Sequence, residues 1–167
     1  MENYEKELLN IISQKNLANN LYTEGKLTES YSIYFHLKEL IENLKEKNTD
    51  AENEKFKEII NQYKLILSNL AMVCHKDKNY KESIKFDRKV IALDKYFHKS
   101  YARLIDSYIN LDNFTLSRYF YSLMKNVIAA ETFNMYRDMF SRVEKEIEEK
   151  DAFVNNLKTI FSTRYPG

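Results

Sequence analysis

The sequence predicts an all-α chain, and three observations carry that expectation. Apolar residues recur every three or four positions over most of its length, and strict strand-like alternation is hard to find. Only two glycines, Gly25 and Gly167, and one proline, Pro166, interrupt the pattern. With 167 residues, 44% of them hydrophobic, one domain or a short repeat array has enough material for a real core. The same shortage of glycine removes the backbone freedom that phosphate loops, hairpin turns and nucleophile elbows need, which excludes P-loop, Rossmann, α/β-hydrolase and sandwich folds.

The elements follow in order. A first helix is expected over Tyr4 to Thr23, with Leu8, Ile11, Ile12, Leu17, Ala18 and Leu21 on its apolar side, and Gly25 supplies the left-handed residue that ends it. Thr28 reads as the cap of a second helix carrying Tyr31, Tyr34, Phe35, Leu37, Leu40, Ile41 and Leu44. The polar stretch Lys45 to Glu54 reads as a loop or a frayed, solvated extension. A third helix holds Ile59, Ile60, Tyr63, Leu67, Leu70, Ala71 and Cys74. The turn Lys76 to Asn79 separates it from a fourth with Tyr80, Ile84, Val90, Ile91 and Leu93. A fifth near Lys99 to Asn110 and a sixth near Phe114 to Ala129 repeat the arrangement. A seventh contains Phe133, Tyr136, Phe140, Val143 and Ile147, spaced 3, 4, 3 and 4, with apolar positions resuming at Val154, Leu157 and Phe161.

Charge and cysteine content narrow the function. The chain has 26 Lys+Arg against 25 Asp+Glu, a formal charge of +1, so no global field drives it to nucleic acid or to an anionic membrane. Its single cysteine, Cys74, makes no internal disulfide and no structural zinc site by itself. The opening residues MENYEKELLN do not read as a signal peptide, and no window approaches a membrane span, so the cytosol or nucleus is the expected compartment.

An internal repeat organises the helices. Setting Lys64 and His98 as equivalent starts, 34 residues apart, aligns Leu67 with Tyr101, Leu70 with Leu104, Cys74 with Tyr108 and Ser83 with Ser117. A third copy starting at Ile11 aligns Leu17, Ala18, Leu21, Ser30 and Tyr34. The small residue Ser30, Ser83 or Ser117 falls where a helix pair crosses closely. Between the first two starts the spacing is 53 residues, so about 19 extra residues fall in the Lys45 to Glu54 region.

This 34-residue helix-turn-helix period resembles the tetratricopeptide repeat (TPR) over about Ile11 to Glu131. The resemblance implies a right-handed superhelix of three helix pairs (residues 11–63 including the insertion, 64–97 and 98–131), followed by a C-terminal capping or extension helix over 132–167. The chain departs from the family in three places. Lys95 stands where the family has proline, Ile105 replaces a small residue, and Asp87 occupies a normally aromatic position.

In stacked helix pairs the first helix of each pair lines the concave face, so polar residues there call for solvent or a ligand. Lys15 and Asn19 share one helix face; Lys99 and Arg103 share another; Asn69 sits on the helix between. Three cations and two amides in one trough suit a peptide with a free terminal carboxylate and acidic side chains. With 20 Lys, 17 Asn and 6 Arg in the chain, chance places five such identities together at roughly five in a million for one register. Charge-assisted hydrogen bonds contribute ~1.5–3 kcal/mol each, so a few of them, less the ordering cost, support roughly micromolar binding.

Position by position, these residues are similar to the family's carboxylate clamp. In that family the clamp binds the Glu-Glu-Val-Asp tail of the cytosolic heat-shock 70 and heat-shock 90 chaperones. The resemblance implies that Lys15, Asn19 and Asn69 hold the terminal carboxylate while Lys99 and Arg103 reach acidic side chains. The long first connection and extended last helix look like the domains attached to FK506-binding immunophilins. On that reading the chain is a fragment of such a protein or a freestanding adaptor. Asp106, three residues after Arg103, is expected to pair with it and to oppose an acidic tail.

Plainer readings cover the rest. His36, His75 and His98 lack metal-ligand spacing and form no nucleophile set with Cys74, which aligns with a packing position. The Tyr and Phe residues follow helix spacing and read as core. The stripe from Phe133 to Phe161 caps the last repeat in its first half. Its heptad-like second half is a candidate contact with another chain, including a homodimer seam. The expected function is non-catalytic, with no cofactor and no metal: capture of a heat-shock 90 or 70 tail. The alternative is a repeat scaffold for another acidic or helical segment.

Overall fold

The computed structural model describes residues 4–48 and 52–164, and these are arranged as eight helices: α1 (Tyr4–Thr23), α2 (Leu27–Lys47), α3 (Glu54–Lys76), α4 (Tyr80–Leu93), α5 (His98–Asn110), α6 (Phe114–Val127), α7 (Ala130–Asn134) and α8 (Arg137–Arg164). No strand occurs among the described residues. Consecutive helices from α1 to α6 pack as neighbours. Among the first members of the pairs, α3 also touches both α1 and α5.

The 34-residue register is visible in backbone geometry. Gly25, Lys78 and Asp112 are equivalent positions, and all three adopt the left-handed conformation, at φ +81°, +61° and +55°. Each closes its helix with the same turn. The following residue, Lys26, Asn79 or Asn113, donates its N–H to the carbonyl of Leu21, Cys74 or Tyr108 at 2.9, 2.8 and 2.8 Å. Only the first copy has the glycine that tolerates this conformation without steric cost. Lys78→Gly is therefore expected to stabilise the fold by up to about 1 kcal/mol, less the extra chain entropy of glycine, in chemical denaturation.

The aligned serines explain how closely each pair crosses. Ser30, Ser83 and Ser117 are fully buried, and each hydroxyl donates to the carbonyl twelve residues back: Ala18 O at 2.9 Å, Ala71 O at 2.9 Å and Ile105 O at 3.2 Å. A short side chain lets the two helices approach, and its own polar atom is satisfied in the contact. Apolar faces then close two connected cores. One is built on Ile11, Tyr34, Leu37, Ile41, Ile59, Leu67 and Leu70 from α1 to α3. The other is built on Tyr101, Leu104, Ile105, Met124, Phe140 and Val143 from α5, α6 and α8.

Two local expectations are corrected, the cap of α2 and the continuity of the seventh helix. Thr28 does not cap α2: the helix starts at Leu27 after Lys26, which makes no side-chain cap bond, whereas Asn79 and Asn113 cap α4 and α6 through their side chains. Lys45 to Glu54 combines both readings of that stretch, an exposed end of α2 followed by a connection to α3. Helix α2 runs to Lys47, and α3 starts at Glu54 on an Asn53 cap, ten residues before its repeat register. These extensions bury Tyr4, Leu8, Phe56 and Ile59, with the Tyr4 and Phe56 rings 5.3 Å apart. Residues 49–51 of that stretch, and 165–167 of the C-terminal extension, lie outside the described residues.

The seventh helix is divided. Met135 and Tyr136 bond back to Thr132 and Phe133 in a tight turn between α7 and α8. The expected 3, 4, 3, 4 stripe still packs through the break, with Phe140, Val143 and Ile147 buried. Beyond the ion pairs Lys150–Asp112 and Arg118–Asp151, α8 is largely exposed, Phe153 at 63% and Phe161 at 61%. No helix among the described residues is long and apolar enough to cross a membrane.

Candidate functional site

The candidate residues sit on α1, α3 and α5, with α3 touching both of the others. Asn19 and Asn69, fifty positions apart, meet directly: Asn69 Nδ2 donates to Asn19 Oδ1 at 3.1 Å. The same oxygen accepts the Tyr34 hydroxyl at 2.5 Å. The amides therefore belong to a fixed polar node, while Asn19 Nδ2 and Asn69 Oδ1 make no hydrogen bond with the described residues. Lys15, four residues before Asn19, is half-buried and donates to Gln62 Oε1 at 2.6 Å; Gln62 in turn donates to Glu58 Oε1 at 2.7 Å. Burial holds the Lys15 ammonium below its ordinary pKa, partly offset by Glu58. A desolvated ammonium held against one neutral amide has more to gain from a carboxylate than a hydrated one.

The third helix of the site is organised differently from the expectation. Arg103 Nε donates to Asp87 Oδ2 at 2.8 Å and its Nη2 to Asp87 Oδ1 at 2.6 Å, a two-pronged pair. Nη2 also reaches Ser68 Oγ at 3.1 Å, next to Asn69, which ties α5 to α3. The Asp87 side chain is 0% exposed and that of Arg103 13%. Burial pushes the Asp87 carboxyl up, with the guanidinium opposing it. Asp106 does not pair with Arg103: its Oδ2 lies 2.7 Å from His75 Nε2 and accepts from Asn110 Nδ2 at 3.1 Å. Lys99 is exposed and makes no side-chain hydrogen bond or ion pair with the described residues, the other four candidates included.

Four partners escaped the sequence reading: Tyr34, Gln62, Ser68 and Asp87. Asp87 did leave a signal, an acid at a position where the repeat pattern calls for an aromatic ring. Gln62 precedes the repeat register, and Ser68 reads as an ordinary helix residue.

Other candidates settle into structural places. Cys74 is 4% exposed and its thiol is pushed up to about 12, chiefly by burial. His98 Nδ1 lies 2.5 Å from the Tyr136 hydroxyl, joining α5 to the start of α8, and His36 is exposed. No group of three or more His, Cys, Asp or Glu side chains among the described residues is placed to hold a metal.

Fold and site together define an all-helical chain packed in neighbouring helix pairs, with the Asn19–Asn69 contact joining α1 to α3 and the Arg103–Asp87 pair joining α5 to α4. No protein-family model and no curated protein matches the chain.

Proposed function

We propose that the chain is a non-catalytic interaction module whose α1–α3–α5 face takes the acidic C-terminal end of a partner protein, the tail of a cytosolic heat-shock 90 or 70 chaperone being the ligand that its TPR-like clamp pattern implies. The observation that carries this reading is the Asn19–Asn69 contact at 3.1 Å, with Lys15 one turn away on α1. It sets Asn69 of α3 against the part of α1 that carries the unengaged Asn19 Nδ2 donor and the Lys15 ammonium. Lys99, exposed and without an acidic partner among the described residues, supplies a second charge.

Arg103 contributes less than the clamp pattern implies. Asp87 takes its Nε and Nη2 donors, and only Nη1 is left for a ligand. Two full cations and the amide node then support binding at roughly 10 μM, about −7 kcal/mol. The test is calorimetric titration with a peptide ending in Glu-Glu-Val-Asp, free and C-terminally amidated. Amidation, Lys15→Ala or Lys99→Ala is expected to weaken binding by about tenfold with helicity unchanged. Equal affinity for capped and free peptide rejects the clamp.

The Asp87–Arg103 pair favours one alternative, a helical-repeat scaffold that takes another acidic or helical segment without reading a chain terminus. That scaffold would bind its partner regardless of amidation.

A further inference from the structure

A second recess lies away from the α1–α3–α5 face, between α6, α7 and α8. Its volume is about 660 Å3, within the range of ligand pockets. Three rings line it: Tyr121 stands edge-on to Phe133 at 5.7 Å and to Phe140 at 5.2 Å, and Phe133 and Phe140 are 4.6 Å apart. Phe140 is 3% exposed, so the aromatic group is anchored in the core rather than loose on the surface. Lys125 contributes from α6 and Arg137 from α8; both are exposed and neither makes an ion pair with the described residues. Glu144, which also lines the recess, accepts the Tyr121 hydroxyl.

We propose that this recess binds an internal acidic peptide segment, with an aromatic or large aliphatic side chain set on the rings and acids on either side facing Lys125 and Arg137. The α6 wall from Tyr121 to Ile128 spans about two helical turns, roughly 10 Å, the reach of three extended residues. Lys125 on α6 and Arg137 on α8 give the recess two separate cations for acids that flank the anchor residue, and Glu144 disfavours a compact dianion. The proposal is independent of the terminal-carboxylate reading, because both ends of the probe are blocked.

The test uses the full chain and two-dimensional NMR, titrated with acetyl-Gly-Glu-Phe-Glu-Gly-amide. Saturable shifts at Tyr121, Phe133 and Arg137, with a Kd at or below about 1 mM, are expected. The Lys125→Glu/Arg137→Glu double variant, at two exposed positions, should weaken binding by about tenfold, and Lys15→Ala should leave it unchanged. Replacing the probe's Phe by Ala, or its Glu residues by Lys, should abolish saturation. The proposal is overturned if the Lys-flanked probe binds equally, if the double variant keeps full affinity, or if no saturable shift appears. It also fails if 3-phenylpropionate binds more tightly than the peptide, which would make the recess a small-acid pocket.

Discussion

Arg103→Ala is expected to lower the stability of the fold by about 3–5 kcal/mol, because it leaves the fully buried Asp87 carboxylate without the guanidinium that pairs with it. The bond geometry sets the size of the effect. Both carboxylate oxygens are taken by one guanidinium, at 2.6 and 2.8 Å, and the pair also ties α4, α5 and Ser68 of α3 together. For a chain of this length such a loss lowers the melting temperature by about 10 °C or more. The cost comes from stranding a charge, so removing both partners should behave differently. Asp87→Leu combined with Arg103→Met is expected to return to wild-type stability or exceed it by about 1–4 kcal/mol. Circular dichroism melts of the single and double variants check this; a single variant within about 0.5 kcal/mol of wild type contradicts the pair. Arg103→Ala is consequently a poor probe of peptide binding, since it tests the fold first.

Ser83→Leu should cost about 2–4 kcal/mol, through overpacking at a position with no exposed surface and through loss of the hydroxyl's bond to Ala71 O. Helices α3 and α4 cross here at the distance a serine allows, and a leucine must push them apart or leave its rotamer well. Ser83→Ala removes the same hydrogen bond without adding volume and should cost only about 1 kcal/mol. Urea denaturation of the two variants separates the effects. If leucine is tolerated as well as alanine, the close crossing inferred for the repeat is wrong. The equivalent substitution at Ser117 should reproduce the pattern, because Ser117 makes the same twelve-residue bond in the α5–α6 pair.

Most of the helical frame was legible in the sequence because it depends on local periodicity and small residues. Helix α1 has the limits its apolar spacing implies, and the serine register reappears as three equivalent hydrogen bonds. Gly25 announced one helix end; Lys78 and Asp112 share its backbone conformation, yet as residues they carry no such signal. The Lys45 to Glu54 stretch left loop and helix extension open for a related reason. The run Lys45 to Lys47 is polar because it is exposed, and charged residues on an exposed helix end look like those of a loop.

The site was legible as a set of residues and not as a circuit of bonds. Which acid takes Arg103 depends on how α4 lies against α5, a tertiary fact that spacing along α5 does not contain. Asp106 was the nearer choice in sequence, but a long helical side chain leans toward the preceding turn, away from an acid three residues on. That lean leaves Asp87 as the partner and frees Asp106 for His75. Asn19 and Asn69 meet because α1 and α3 pack together, a contact between helices that spacing within either one does not contain.

The most direct measurement follows the side-chain amide resonances of Asn19 and Asn69 in nitrogen-edited NMR spectra during titration with a free Glu-Glu-Val-Asp peptide. Both pairs should move together and saturate at one Kd, and the amidated peptide at the same concentration should move neither. A peptide that binds tightly while both amides stay still, or that shifts them equally with and without its terminal charge, would contradict the carboxylate-binding face.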